Sequence, residues 1–165
     1  MISWDTCKED FRRDGSLRDI YVTPASLGDW RAIYPLFRRQ SDIEFLTETG
    51  VLEIPENLDV SFFADVRPTL RFRVDGVLVV FHFFTPDEIE CDIDPREVTS
   101  QAQLDSLLAF LRQLGDLTHK QAVLTPENLR EEPIISYDPK GKTFKYHSVP
   151  KPPEPPHPHS GNSGK

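Results

Sequence analysis

The chain has 165 residues, the length of a single domain, and its 19 basic and 27 acidic side chains leave a formal net charge of −8 at pH 7. Nucleic-acid backbones and anionic membranes bind clustered Lys and Arg, so this charge disfavours both as partners. Charges precede any apolar run at the N-terminus, which predicts no signal peptide, and the longest apolar run, residues 77–84, is too short to cross a bilayer. Two cysteines cannot form a disulfide framework, which indicates reduced thiols in a cytoplasmic protein.

The first predicted elements are a strand and a helix. Residues 18–23 have strand-forming composition, and Pro24 ends the strand. Ser26 is expected to cap a helix whose apolar side chains follow helical spacing as far as Phe37. A proline lies inside this helix at position 35, so we expect a kink or an early end near residue 34.

A hairpin and a short helix are predicted next. Residues 43–46 and 51–54 are strand-like and flank a four-residue turn. Residues 57–66 favour a short helix, whose end is limited by Pro68.

The most informative segment is residues 69–94, which predicts three consecutive antiparallel strands. Asp75-Gly76 is a two-residue hairpin signal, and residues 85–87 form the second break. With these turns, the apolar side chains of all three strands share one buried face, and a slip of one residue would place charges on it. The predicted pairs are Val74 with Val77, Phe72 with Val79, Leu70 with Phe81, Phe83 with Ile89, Phe81 with Cys91 and Val79 with Ile93.

The alternate residues of these strands form the opposite side of the sheet, which we call the outer face. Arg71 and Arg73 are expected there, leaning across the middle strand toward carboxylates of the third. The middle and third strands supply the candidate partner-binding residues, which are Leu78, Val80, His82, Phe84, Glu88, Glu90, Asp92 and Asp94.

The last part of the ordered chain predicts a long helix and a second hairpin. Ser100 and Gln103 fit a capping box for a helix over residues 101–114, with Gly115 as its C-terminal stop. A short strand at 122–124 follows. Two further strands, at 134–137 and 143–146, surround a clear turn.

These elements predict one α+β domain over residues 1–148. Its sheet should be mainly antiparallel, with a central three-stranded meander packed by one long amphipathic helix and by shorter helices. Residues 150–165 are proline-rich and contain no aliphatic or aromatic side chain, so we expect a disordered tail over residues 149–165. Such tails can dock on aromatic grooves, but a solubilising spacer is favoured here.

The acidic strand on the outer face has three interpretations. The first is a solvated face partly neutralised by Arg71 and Arg73, and the second is a docking surface for a basic protein. The third, a cation site, is disfavoured because carboxylates along a straight strand do not converge. The apolar outer residues also need a cover, either the N-terminal segment with Trp4 and Phe11, a helix, or a partner.

Catalytic signatures are weak in this sequence. His82 opposite Glu90 is the only inferred pair of a histidine with a carboxylate, and no nucleophile is paired with it. No metal-ligand or phosphate-loop pattern occurs, so no cofactor, metal or catalytic residue is predicted.

The leading hypothesis is therefore a non-enzymatic cytoplasmic binding protein that engages a basic partner through the acidic outer face. An immunity-type inhibitor of a basic toxin is one instance. One alternative is a small enzyme with a site around His82, Glu90 and Asp92. Another is a structural or oligomeric module that uses Leu78, Val80 and Phe84. The sequence leaves the oligomeric state and the identity of the partner open.

Overall fold

A computed structural model describes residues 1–147, so the predicted disordered tail lies outside the described residues. The strands are β1 (Arg18–Val22), β2 (Glu44–Thr47), β3 (Gly50–Leu52), β4 (Thr69–Val74), β5 (Val77–His82), β6 (Ile89–Ile93), β7 (Ala122–Pro126), β8 (Ile135–Asp138) and β9 (Thr143–Tyr146). The α-helices are α1 (Trp4–Cys7), α2 (Leu27–Arg38) and α3 (Gln101–Thr118), and short 3-10 helices cover Lys8–Phe11, Val60–Phe63 and Pro95–Glu97. The strands form one antiparallel sheet in the order β3-β2-β4-β5-β6-β1-β7-β8-β9. The fold class is α+β, as predicted.

The side chains of the central strands point to the faces that the hydrophobic pattern predicts. Val74 faces Val77 across the β4–β5 turn, and Phe81 faces Cys91 between β5 and β6, as predicted. Ile89 is fully buried, together with the other inward-facing residues of β6. From α3, the ring of Phe110 lies 6.1 Å from that of Phe81. The apolar face of the sheet therefore packs against the long helix.

Helix α2 begins as predicted but does not end as predicted. The Ser26 side chain accepts a hydrogen bond from the backbone N–H of Asp29 at 3.3 Å. The helix then continues through Pro35 to Arg38, so the expected end near residue 34 is wrong. Since Phe37 is fully buried beyond the proline, burial of its ring stabilises the last turn despite the missing backbone donor.

Helix α3 also continues past its predicted end, and residues 57–66 form less helix than expected. Gly115 lies inside α3, which ends where His119 adopts φ 55° and the Lys120 N–H donates to the Gly115 carbonyl. Position 115 requires glycine because of a close side-chain contact and not because the helix ends there. A Cβ at this position would lie 2.6 Å from the Tyr137 ring. Only the 3-10 turn Val60–Phe63 forms within residues 57–66.

The position of β1 is the feature of the topology that builds the outer face. It lies between β6 and β7 and is antiparallel to both, although β6 follows it by almost seventy positions in the chain. Ile20 and Val22 therefore point into the core, while Asp19 and Tyr21 join the outer face.

The N-terminal segment does not cover the outer face. Cys7 and Phe11 belong to the buried core, and the Trp4 backbone N–H donates to Gln101 Oε1 at the start of α3. The expectation that this segment shields Leu78, Val80 and Phe84 is therefore wrong, because its own apolar residues are buried on the helical side of the sheet. None of the helices within residues 1–147 is long and apolar enough to cross a membrane.

Candidate functional site

The candidate residues lie at the two ends of the outer face and between them. Phe84, Glu88 and Glu90 lie toward the end of the sheet where β5 leads into its loop, and Phe84 is 57 % exposed. Asp94 lies past the opposite end of β6, where it caps the 3-10 helix Pro95–Glu97. The remaining candidates, Leu78, Val80, His82 and Asp92, lie between these groups and are half-buried.

The predicted neutralisation by Arg71 and Arg73 is wrong. Arg71 Nε donates to Glu44 Oε2 on the adjacent strand at 2.6 Å, and Arg73 Nη1 donates to Glu97 Oε1 at 3.0 Å. Asp92 and Asp94 lie two strands away from these arginines. Each arginine instead pairs with a nearer carboxylate, so neither reaches Asp92 or Asp94. Sequence alternation placed them on the correct face but could not place Glu44 beside Arg71.

The carboxylates of the acidic strand find other partners instead. Asp94 pairs with Arg96 two residues later, and Arg130 Nη2 donates to Glu88 Oε1 at 2.6 Å. Asp92 Oδ2 lies 2.6 Å from His82 Nε2. Glu90 has no ion-pair partner among residues 1–147, although it is half-buried.

The histidine pair differs from the predicted one. Strand register places His82 opposite Glu90, as predicted, but its ring bonds to Asp92 on the diagonal. The ring also stacks on Phe84, with centroids 5.1 Å apart and planes at 4°. Hydrogen bonding to Asp92 raises the pKa of His82 above its ordinary value.

Two further residues of this face were missed by sequence reasoning. Asp19 and Tyr21 of β1 face Asp92 and Glu90 of β6, and each is only 4 % exposed. The Tyr21 hydroxyl donates to Asp19 Oδ2 at 2.9 Å and lies 3.4 Å from Glu90 Oε1. The alternation of side chains along residues 18–22 already placed Asp19 and Tyr21 on the face opposite Ile20. No local sequence signal, however, indicated that β1 pairs with β6.

A loop after β7 closes this end of the face. The Asn128 backbone N–H donates to Asp19 Oδ2 at 2.7 Å, and the Arg130 guanidinium lies over the Tyr21 ring, 5.0 Å from its centroid. Between the loop and the sheet lies a cavity of about 580 Å³ that we call the Glu90 pocket. Its lining residues are Tyr21, Phe84, Glu90, Asn128, Leu129, Arg130, Glu131 and Glu132.

The environment of the pocket disfavours the ionised form of its own carboxyl groups. Burial raises the pKa of Glu90, and the nearby charges of Asp19 and Glu88 raise it further. Burial is also the main cause that raises the pKa of Glu88, whose Oε2 is buried and accepts no hydrogen bond within the described residues. The positive charges of His82 and Arg130 act in the opposite direction and lower the pKa of Glu90. A cation placed near Glu90 would therefore be attracted by its carboxylate and repelled by the Arg130 guanidinium that lines the same pocket.

The geometry offers little for catalysis around His82. No hydroxyl or thiol bonds to its ring within residues 1–147. Both cysteines are buried, with burial raising the pKa of each thiol, to about 11 for Cys7. No group of three or more His, Cys, Asp or Glu side chains in the described part of the chain is arranged to hold a metal ion.

Comparison with known proteins identified no matching family model, no similar curated protein and no similar solved structure.

Proposed function

We propose that the protein is a non-enzymatic binding protein of the cytoplasm. Its acidic outer face engages a basic protein partner, and the Glu90 pocket takes a Lys or Arg side chain of that partner. The single observation that carries this proposal is Glu90 itself. It is a half-buried carboxylate at the wall of a cavity, and no residue among 1–147 forms an ion pair with it.

The aromatic walls support a cationic occupant. Phe84 and Tyr21 line the pocket, and Arg130 already lies over the Tyr21 ring. Aromatic faces attract guanidinium and ammonium groups within about 6 Å of the ring centroid. An incoming Arg side chain would thus contact an aromatic ring and Glu90 together, which combines a desolvated ion pair with apolar burial.

The charge distribution suits rapid recognition of such a partner. The chain carries a net charge of −8, and complementary charge mainly raises association rate and specificity. An immunity-type inhibitor of a basic toxin is the instance of this function that we favour, because an inhibitor of this type acts by binding alone and requires no catalytic group.

A short oligoarginine peptide is the probe that tests the pocket. Titrated into ¹⁵N-labelled protein, it should shift the amide signals of Tyr21, Phe84 and Glu90 together with those of residues 128–132. The double variant Glu90→Lys with Glu131→Lys should bind the peptide at least about tenfold more weakly, a loss of about 1.4 kcal/mol.

The matched control is Glu48→Lys with Glu56→Lys, which makes the same charge change at exposed positions outside the pocket. This control should lose much less affinity, since only long-range attraction is reduced. Equal losses in the two variants, or shifts spread over the whole surface, would contradict a specific site at Glu90.

The exposure of Phe84 also favours a second candidate function, an oligomeric module in which another copy covers the outer face. Two acidic faces would repel one another, so this assembly should form only at high salt. Sedimentation velocity at low and high salt tests it. A monomer under both conditions would contradict this candidate and leave the proposed binding function intact.

A further inference from the structure

A second groove of the molecule is basic, although the chain as a whole is acidic. It lies between α2 and the chain that leads from β3 to the 3-10 helix Val60–Phe63, and we call it the arginine groove. Its cavity has a volume of about 420 Å³. Arg31, Arg38 and Arg39 line it from α2 and the cap of that helix, and Glu56 is the one acidic residue among the described residues that line it. Three positive charges therefore face one negative charge, in a chain whose net charge is −8.

The three guanidinium groups of the groove form no ion pair within residues 1–147. Arg38 Nη1 donates one long hydrogen bond, at 3.4 Å, to the Pro55 carbonyl, and the other two arginines donate none in this part of the chain. By contrast, Arg130 pairs with a carboxylate on the outer face. A guanidinium is charged at every physiological pH and carries five N–H donors, so most of the donors in this groove are available to a ligand.

Helix stability explains only part of this cluster. The helix dipole favours cations in the last turn, which accounts for Arg38 and Arg39. Arg31 lies in the second turn, where the dipole gives no such advantage. The one acidic residue of α2, Asp29, pairs with Lys120 at 2.7 Å and leaves Arg31 without a partner on its own helix. The requirements of the helix therefore give no reason for a cation at position 31.

Both walls of the groove are attached to the core. The Tyr34 hydroxyl of α2 donates to the Pro55 carbonyl of the opposite wall at 3.1 Å. Burial raises the pKa of Tyr34 to about 12, so this hydroxyl keeps the proton that it donates. Leu58, on the same wall as Pro55, belongs to the hydrophobic core cluster. The groove is therefore formed before any ligand arrives, and its volume lies in the range of small-molecule sites.

The arrangement of the arginines favours an elongated anion. Arg31 and Arg38 are seven positions apart on one face of α2, which separates their backbones by about 10 Å along the helix axis. Guanidinium groups bind phosphate oxygens in pairs, so a row of them matches a chain of linked phosphates. A large polyanion would meet the net negative charge of the whole chain. A small anion responds mainly to charges within the Debye length, about 8 Å at physiological ionic strength, and these are the arginines.

We propose that the arginine groove binds a small molecule that carries a di- or triphosphate chain. Arg31 contacts one end of the phosphate chain, Arg38 and Arg39 contact the other, and Glu56 weakens the binding by repulsion. No residue of the groove belongs to the outer face, so this inference stands independently of the proposed function.

Inorganic triphosphate is the probe, in a buffer without divalent cations. Isothermal titration calorimetry should show that it binds at least about tenfold more tightly than orthophosphate at the same ionic strength. In a ¹⁵N-correlated NMR spectrum it should shift the amide signals of residues 31–39 and 56–58. Equal affinities for the two anions, or amide shifts located elsewhere, would overturn the proposal.

A matched pair of double variants tests the site. Arg38→Gln with Arg39→Gln should weaken triphosphate binding at least about tenfold. The control is Arg12→Gln with Arg13→Gln, which removes two adjacent, exposed arginines outside the groove and should weaken binding less than about twofold. Equal losses in the two double variants would show attraction by overall charge alone and would refute a specific site.

The acidic residue of the groove provides a test with the opposite sign. Glu56→Gln should bind triphosphate about two- to fivefold more tightly, because a repelling charge is removed. Glu48→Gln, an equally exposed change outside the groove, should leave the affinity nearly unchanged. A gain of affinity cannot result from unfolding, so the test is independent of stability. If Glu56→Gln binds no more tightly than Glu48→Gln, the anion does not lie in this groove.

Discussion

At the scale of single residues, the site depends on carboxylates whose surroundings differ although their spacing along β6 is regular. Asp92 bonds to His82, Asp94 caps a 3-10 helix, and Glu90 retains only a long contact with Tyr21. Equal spacing in sequence therefore does not give equal chemistry. The residue with the fewest stabilising contacts is the one that we propose receives a cation.

The His82–Asp92 pair predicts a pH dependence. Because the native pKa of His82 is raised above its unfolded value of about 6.5, protonation stabilises the fold fully below that pH. This stabilisation is lost as the pH rises through the native pKa. Asp92→Asn should lower the His82 pKa in an NMR titration, and Asp94→Asn should leave it unchanged. A His82 pKa that is the same in the Asp92→Asn variant contradicts the assigned cause.

Tyr21 supports the buried Asp19 and should contribute measurably to stability. Tyr21→Phe removes a donor from a carboxylate that is almost inaccessible to water, so denaturant unfolding should show a loss of about 1–3 kcal/mol. Tyr146→Phe is the comparison, because its partner Asp10 is only half-buried and water can replace the hydroxyl. If Tyr21→Phe lowers the free energy of unfolding no more than Tyr146→Phe does, the stability of the buried Asp19 carboxylate does not depend on the Tyr21 hydroxyl.

At the scale of elements, tertiary contacts override local helix signals. In α3, Gly115 is required by the close approach of Tyr137, and the helix ends only at His119. In α2, Pro35 does not stop the helix, since Phe37 beyond it is packed in the core. Propensity predicted where both helices begin, and packing decided where they end.

The two helical glycines provide a matched pair of substitutions. Gly115→Ala should destabilise the protein by about 1–3 kcal/mol in denaturant unfolding, because its Cβ would lie 2.6 Å from the Tyr137 ring. Gly28→Ala meets only Ser26 Oγ, at 3.4 Å, and should be neutral or stabilise by up to about 1 kcal/mol. A stabilising effect at both positions would show that helix propensity outweighs packing at Gly115.

At the scale of the whole molecule, the sheet separates two environments. Helices α2 and α3 pack on one side with the aromatic core, while the outer face carries the carboxylates and the Glu90 pocket. This asymmetry places the charged side chains on one side of the sheet without exposing the core.

The net charge predicts how recognition depends on salt. For a basic partner, the association rate should fall at least about tenfold between roughly 0.02 and 0.5 M NaCl, because the Debye length shortens from about 20 to about 4 Å. The dissociation rate should change much less, since the contacts inside the pocket are partly shielded from solvent. Stopped-flow measurements separate the two rates, and an association rate independent of salt would contradict electrostatic recognition.

Local pattern was sufficient for much of this fold. The pairs Val74–Val77 and Phe81–Cys91 follow from a two-residue turn and strict alternation, which operate over a few residues. The outer-face position of Glu90 and Asp92 follows from the same alternation. These features were predictable because a wrong register would expose apolar side chains and bury charged ones.

What only the tertiary structure decided is which distant segments meet. The insertion of β1 beside β6, the loop over Tyr21 and the pairing of Arg71 with Glu44 join residues far apart in the chain. Nothing in the local sequence specifies these neighbours, because strand order depends on how the whole apolar surface is buried. The sequence by itself determined which side of the sheet would be acidic. The folded chain determined which carboxylate would lack an ion-pair partner, because charge pairing depends on distances that no local pattern encodes.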